Sequence, residues 1–129
     1  MTTALKHADV TEQIIGAAFE VHRELGYGFL EKVYQRAMQV ELAKRGMKAE
    51  VEKKITVCYK NIVVGDYFAN VFVNEVVIVE LKIAKACRPE DEAQLLNELK
   101  ATGIEVGLLI NFGREKVEFK RMIFTDPRS

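Results

Sequence analysis

The segment Val76–Ile83, Val-Val-Ile-Val-Glu-Leu-Lys-Ile, constrains this chain more than any other stretch. Apolar side chains fall on both of its faces, and a strand buried on both faces sits in the middle of its sheet. Two charges interrupt it, Glu80 and Lys82. They are two positions apart, so both project from the same face. Burying a charge is costly unless it is paired or binds a metal. Spacing alone leaves two readings open: an ion pair capping the exposed end of a core strand, or a pair that does chemistry.

What surrounds this strand decides how it can be covered. Val10, Ile14, Ala18, Val21 and Leu25 recur at helical spacing, with Asp9 as a candidate N-cap and Gly26 as a stop. A second helix is expected from Leu30 to Arg45, with Val33, Ala37, Val40 and Leu42 among its apolar positions. Strands are expected at Val51–Tyr59 and Ile62–Val73, with turns at Lys60-Asn61 and Asn74-Glu75. Pro89 opens a third helix whose first turn is acidic, and Gly103 ends it. Strands at Ile104–Phe112 and Lys116–Phe124 follow. The order ααβββαββ, with a strand–helix–strand crossover after Val76–Ile83, predicts an α/β fold: a mixed β-sheet flanked by helices.

Composition narrows the function classes. The 129 residues are expected to form a single domain, 1–129, with 49% of them apolar and 29% charged. Lys plus Arg equals Asp plus Glu at 19 each, so the basic excess of a purely electrostatic nucleic-acid binder is missing. Any grip on nucleic acid must come from a local patch or from a metal that offsets carboxylates. Cys58 and Cys87 form no CxxC pair, which argues against a zinc site. Met1 to Asp9 carries no apolar core of a signal peptide, and no run is long enough to span a bilayer, so a cytoplasmic location is expected. A loose tail is expected from Asp126.

The hairpin before the central strand supplies candidate partners. A loop centred on Glu75 sets position 70 opposite Glu80, and one centred on Asn74 sets position 66 opposite Lys82. A two-residue turn reverses the faces unless a bulge corrects it. Asp66 and Asn70 therefore compete to be the third polar group. Glu31 and Tyr34 share a face at the start of the second helix, where a dipole-favoured glutamate beside a core tyrosine is the plain alternative. Gln94 and Glu98 share a face of the third helix, where a solvated stripe is the plain alternative.

Val21-His22, Leu25-Gly26, Gly28-Phe29-Leu30-Glu31 and Val33-Tyr34 resemble the signature of the GxxExxY proteins. Val77 to Lys82 resembles their ExK strand, and Ala93 to Asn97 and Gly107 to Gly113 resemble the helix and strand that follow. The resemblance spans nearly the whole chain, with its motifs in order. It implies a restriction-endonuclease-like core of the PD-(D/E)xK nuclease superfamily and a Mg²⁺-dependent phosphodiesterase site, an endonuclease-type hydrolase. It further implies that Glu80 and the Leu81 carbonyl are metal ligands, and that Lys82 positions the attacking water. Glu31 would hold a water or second metal, and Gln94 would steady the strand or substrate, with Tyr34 and Glu98 beside them.

Three positions depart from that pattern. The family's metal-binding aspartate is here Asn70, a histidine before the glutamine is Asp91, and a tyrosine one turn after it is Glu98. Asp66 could replace the missing acid only if the register brought it close, since it lies roughly 13 Å along the strand from position 70. The expectation is weak Mg²⁺ binding and little or no DNA cleavage. A catalytically inactive module binding protein or nucleic acid is the alternative. The partner implied is DNA or another nucleic acid, with no membrane, and the oligomeric state stays open, a homodimer included.

Overall fold

The computed structural model describes residues 5–125, which fold as α1 (Ala8–Leu25), α2 (Glu31–Lys44), β1 (Ala49–Tyr59), β2 (Ile62–Val73), β3 (Val77–Lys82), α3 (Pro89–Thr102), β4 (Val106–Asn111) and β5 (Glu118–Ile123). The expected order ααβββαββ is observed. The tail from Asp126 and the first four residues of the N-terminal segment lie outside the described residues. Among the described residues, no helix is long and apolar enough to cross a membrane.

The sheet runs β1-β2-β3-β4-β5, so β3 is its central strand, as its two apolar faces require. β3 and β4 pair in parallel from Val77↔Val106 to Lys82↔Asn111, with α3 as the crossover. The other neighbours are antiparallel. Helices α1 and α2 cover one face through Ile14, Ala17, Tyr34, Met38 and Leu42, against Val71, Val79, Leu81, Leu108 and Ile110. Helix α3 covers the other face, packing Leu95 and Leu99 on Ile78 and Leu109. Each of these two leucines is fully buried, contributing roughly 1.5–3 kcal/mol.

Several local expectations are corrected. Helix α1 begins before Asp9, and its N-cap is His7, held in the left-handed region at φ 53°. In α2 the buried stripe is Tyr34, Gln35, Met38 and Leu42, while Val33 and Val40 face outward. Tyr34, Met38 and Leu42 are each four apart and line one face, which excludes Val33 and Val40 from it. The strand ends shift by one or two residues: β1 starts at Ala49, β3 spans Val77–Lys82, β4 Val106–Asn111 and β5 Glu118–Ile123.

The turn after β2 fixes what faces what. Asn74 and Glu75 both adopt positive φ, 50° and 61°, and the Val76 N–H donates to the Val73 carbonyl at 3.0 Å. Val73 nonetheless pairs with Val77, so Val76 is an extra residue. The pairings Val73↔Val77, Phe72↔Ile78 and Val71↔Val79 are those of a loop centred on Glu75.

Candidate functional site

The ladder between β1 and β2 shifts register between Val57 and Cys58, and before that shift it drops one pair. It pairs Val51 with Val71, then Lys53 with Ala69, and leaves Glu52 and Asn70 unpaired between them. Glu52 has φ 53°, a conformation costing a residue with a Cβ roughly 1–2 kcal/mol. The pleat turns over here: Val51 and Val71 pack on the α1/α2 side, but Ile55 and Ala69 on the α3 side. In a regular strand these odd-numbered residues would share a face.

Asn70 fills the gap with its side chain. Its Oδ1 accepts the Leu81 N–H at 2.8 Å, replacing a ladder bond between β2 and β3. Its Nδ2 donates to Glu31 Oε1 at 3.1 Å and to Gln35 Oε1 at 2.9 Å. Gln35 Nε2 in turn donates to Glu52 Oε1 at 3.3 Å. Glu31 is delivered by the start of α2, and Tyr34 anchors that start. The Tyr34 hydroxyl donates to the Gly26 carbonyl at 2.6 Å and accepts the Phe29 N–H at 3.4 Å. Its ring stacks on Phe112, with centroids 4.7 Å apart. Gly26 and Gly28, at φ 70° and 110°, let the chain close around that hydroxyl.

Glu80 lies on the α3 side of β3. It is 3% exposed, and its carboxyl stands against that of Glu98, itself 1% exposed. Burial pushes the Glu80 carboxyl far above the usual carboxylate range, and Glu98 pushes it further; Lys82 and the Asn70 backbone N–H work the other way. Gln94 Nε2 donates to Glu98 Oε2 at 3.1 Å. Lys82 is directed to Asp91, with Nζ 3.8 Å from Oδ1, while Asp91 Oδ2 caps α3 by accepting the Arg88 N–H at 2.9 Å.

A polar string thus runs from Glu31, Gln35 and Glu52 through Asn70 to Glu80, Glu98 and Gln94. Asn70 stands between Glu31 and Glu80, and the carboxyl pressing on Glu80 is that of Glu98. Asp66 does not join. It pairs with Thr56 on the outer part of the hairpin and lies 3.6 Å from Lys54. The plain alternative for α3, a solvated stripe, does not hold at Glu98, which is buried.

The family model of the PD-(D/E)XK nuclease superfamily matches residues 8–122. The chain belongs to that superfamily. In this nuclease-superfamily chain the five-stranded mixed sheet flanked by helices is the restriction-endonuclease-like fold. The crystal structure of SSO0001 is similar at 14% identity and a TM-score of 0.58, over 72% of this chain and 50% of its own. The nuclease-like chain therefore spans half the length of that protein. No curated protein matches it.

Nucleases of this superfamily usually use divalent metals, and two buried carboxyl oxygens here are of a type that could hold one. Oε1 of Glu80 and Oε1 of Glu98 are buried without a hydrogen-bond partner. These are hard oxygen donors, suited to an ion such as Mg²⁺ that keeps much of its own water. Among the described residues, no three His, Cys, Asp or Glu side chains gather as a fuller metal cluster. Sequence reasoning missed Gln35 and Glu52. Gln35 neighbours Tyr34 on the buried face of α2, which was its one signal. Glu52 had none: it stays exposed, and only the turned-over pleat brings its carboxylate within reach of Gln35.

Proposed function

We propose that this chain is a Mg²⁺-dependent phosphodiester hydrolase of the GxxExxY kind, acting on DNA, with cleavage weakened by Asn70. The reading rests on the buried Glu80 carboxyl, with a bare oxygen, beside Lys82 on the central strand of a PD-(D/E)XK nuclease chain. Glu80 and the Leu81 carbonyl would hold the ion, which lends charge to polarise a phosphate oxygen. Lys82 orients the attacking water and offsets phosphate charge. Asp91 restrains that amine at 3.8 Å and sets its direction. Glu31 holds a water from the α2 side, and Gln94 steadies the site through Glu98. The amide of Asn70 keeps the position of an aspartate but lends no negative charge.

Lys85, Arg114 and Lys116 line a surface depression with Tyr27, past the ends of β3 and β4. Glu115 and Glu118 line it too, so the three cations leave a local excess of one positive charge in a chain of zero net charge, a small attraction for a phosphate backbone. The test uses plasmid and linear DNA with Mg²⁺ or Mn²⁺, comparing the unmodified chain, Asn70→Asp and Glu80→Ala. DNA should shift in a gel with little cutting by the unmodified chain, measurable cutting by Asn70→Asp and none by Glu80→Ala. Robust cutting by the unmodified chain, abolished by Glu80→Ala, overturns the weakening. No DNA association by any variant overturns the nucleic-acid reading.

A further inference from the structure

The acid missing at position 70 has a counterpart on the other side of β3. Asn70 is fully engaged: its Oδ1 takes the Leu81 N–H, and its Nδ2 serves Glu31 and Gln35. Glu98, one turn after Gln94 on α3, stands against Glu80 instead. Both residues are more than nine-tenths buried, each keeps one carboxyl oxygen that no donor from the rest of the chain reaches, and the contact between the two acids needs a proton or a cation. The second oxygen of Glu98 is fixed by Gln94 at 3.1 Å, so the bare one is held in a set direction. The nearest cation on the strand, Lys82, leans towards Asp91. Two adjacent buried acids are costly when both are ionised; a proton held between them relieves that cost, and a divalent ion can take the proton's place.

We infer that Glu98 is the second metal-binding carboxylate of this chain, so that Glu80 and Glu98 hold a divalent cation between β3 and α3. The inference shares the ion with the proposed activity but does not need DNA to be cut. Gln94 and Lys82 beside the pair are half-buried, so the two acids lie just beneath the surface. An ion there is displaced from Asn70 toward α3, which gives the weakened cleavage a geometric cause.

The test is Mn²⁺ titration followed by electron paramagnetic resonance, with circular dichroism to check folding. Glu98→Gln should weaken Mn²⁺ binding by about tenfold or more, as expected for loss of a ligand. Asn70→Ala should change it by less than about threefold, since it removes no metal-binding charge. Glu98→Asp, which keeps the carboxylate, should recover part of the affinity lost in Glu98→Gln. Equal Mn²⁺ affinity in Glu98→Gln and the unmodified chain overturns the inference, as does no saturable binding by the unmodified chain. Mn²⁺ binding that depends on Glu98, with no variant cutting DNA, upholds the inference while removing the proposed activity.

Discussion

Changing Asn70 to Asp puts the reasoning about the site under direct strain. The new carboxylate still accepts the Leu81 N–H, but it can no longer donate to Glu31 and Gln35. Gln35 could turn its amide to donate to Asp, at the expense of its bond to Glu52. With the new acid ionised, two of these three hydrogen bonds are lost on balance, roughly 1–3 kcal/mol. A second carboxylate also comes to stand about where the Asn70 amide is, 3.1 Å from Glu31 Oε1. Protonation caps that repulsion. Holding a proton at pH 7 on an acid of ordinary pKa about 3.9 costs about 4 kcal/mol.

Asn70→Asp without metal should therefore lose about 2–4 kcal/mol of stability at neutral pH. The folded pKa of the new acid is raised, so the folded state binds more protons than the unfolded one. The deficit then grows as pH rises above the ordinary value and shrinks towards about pH 4. Added Mn²⁺ should reverse it, because ligand at 100 times its dissociation constant contributes about 2.7 kcal/mol. The variant should bind Mn²⁺ at least about tenfold tighter than the parent, or about 1.4 kcal/mol. Urea unfolding followed by circular dichroism, at acid and neutral pH with and without Mn²⁺, reads all of this. A metal-free variant as stable as its parent at neutral pH would falsify the account of Asn70 as the uncharged link between Glu31 and β3.

Two more predictions follow the same site. The Glu80 carboxyl is pushed up to about 10 by burial and by Glu98, so the metal-free folded state keeps a proton that the unfolded state releases. Stability should fall as pH rises from about 5 to about 9, by at most about 1.4 kcal/mol per pH unit, and Glu80→Gln should flatten that slope in thermal melts. An unchanged slope would assign the dependence elsewhere. Tyr34→Phe strips the Gly26 carbonyl of a 2.6 Å donor and should cost about 1–2 kcal/mol. It should also speed amide hydrogen exchange at Phe29, whose N–H loses its acceptor; unaltered exchange there would separate Tyr34 from the delivery of Glu31.

Periodicity and turn chemistry carried the fold a long way. The two apolar faces of β3 put it in the centre of the sheet, and Pro89 and Gly103 bracketed α3. The hairpin left two registers open because its turn has two residues with positive φ and then an extra Val76, a bulge that sequence spacing does not reveal. Val33 and Val40 looked like stripe residues because β-branched side chains count as apolar wherever they stand. What decides is the four-residue series from Tyr34, which also carries Gln35 inward. Glu98 was visible as a departure from a tyrosine, but its burial depends on α3 docking beside Glu80, a tertiary fact. Glu52 stays exposed and meets Gln35 only through a backbone conformation that its own side chain does not favour.

The parallel pairing at the centre of the sheet has a consequence for the order in which the chain folds. β1 and β2 are neighbours in sequence and can pair at once, whereas β3 and β4 can join only after α3 has been laid across them. Glu80 and Glu98 spend the early part of each folding event hydrated, ionised and apart. They meet when α3 docks, and at that moment a proton or a divalent cation must be drawn from the surroundings. Stopped-flow refolding should accelerate with acid or with Mn²⁺, and a rate indifferent to both would place the docking of α3 before the slow step. The final closure of this fold is then paced by what the solvent can supply to one pair of carboxyls.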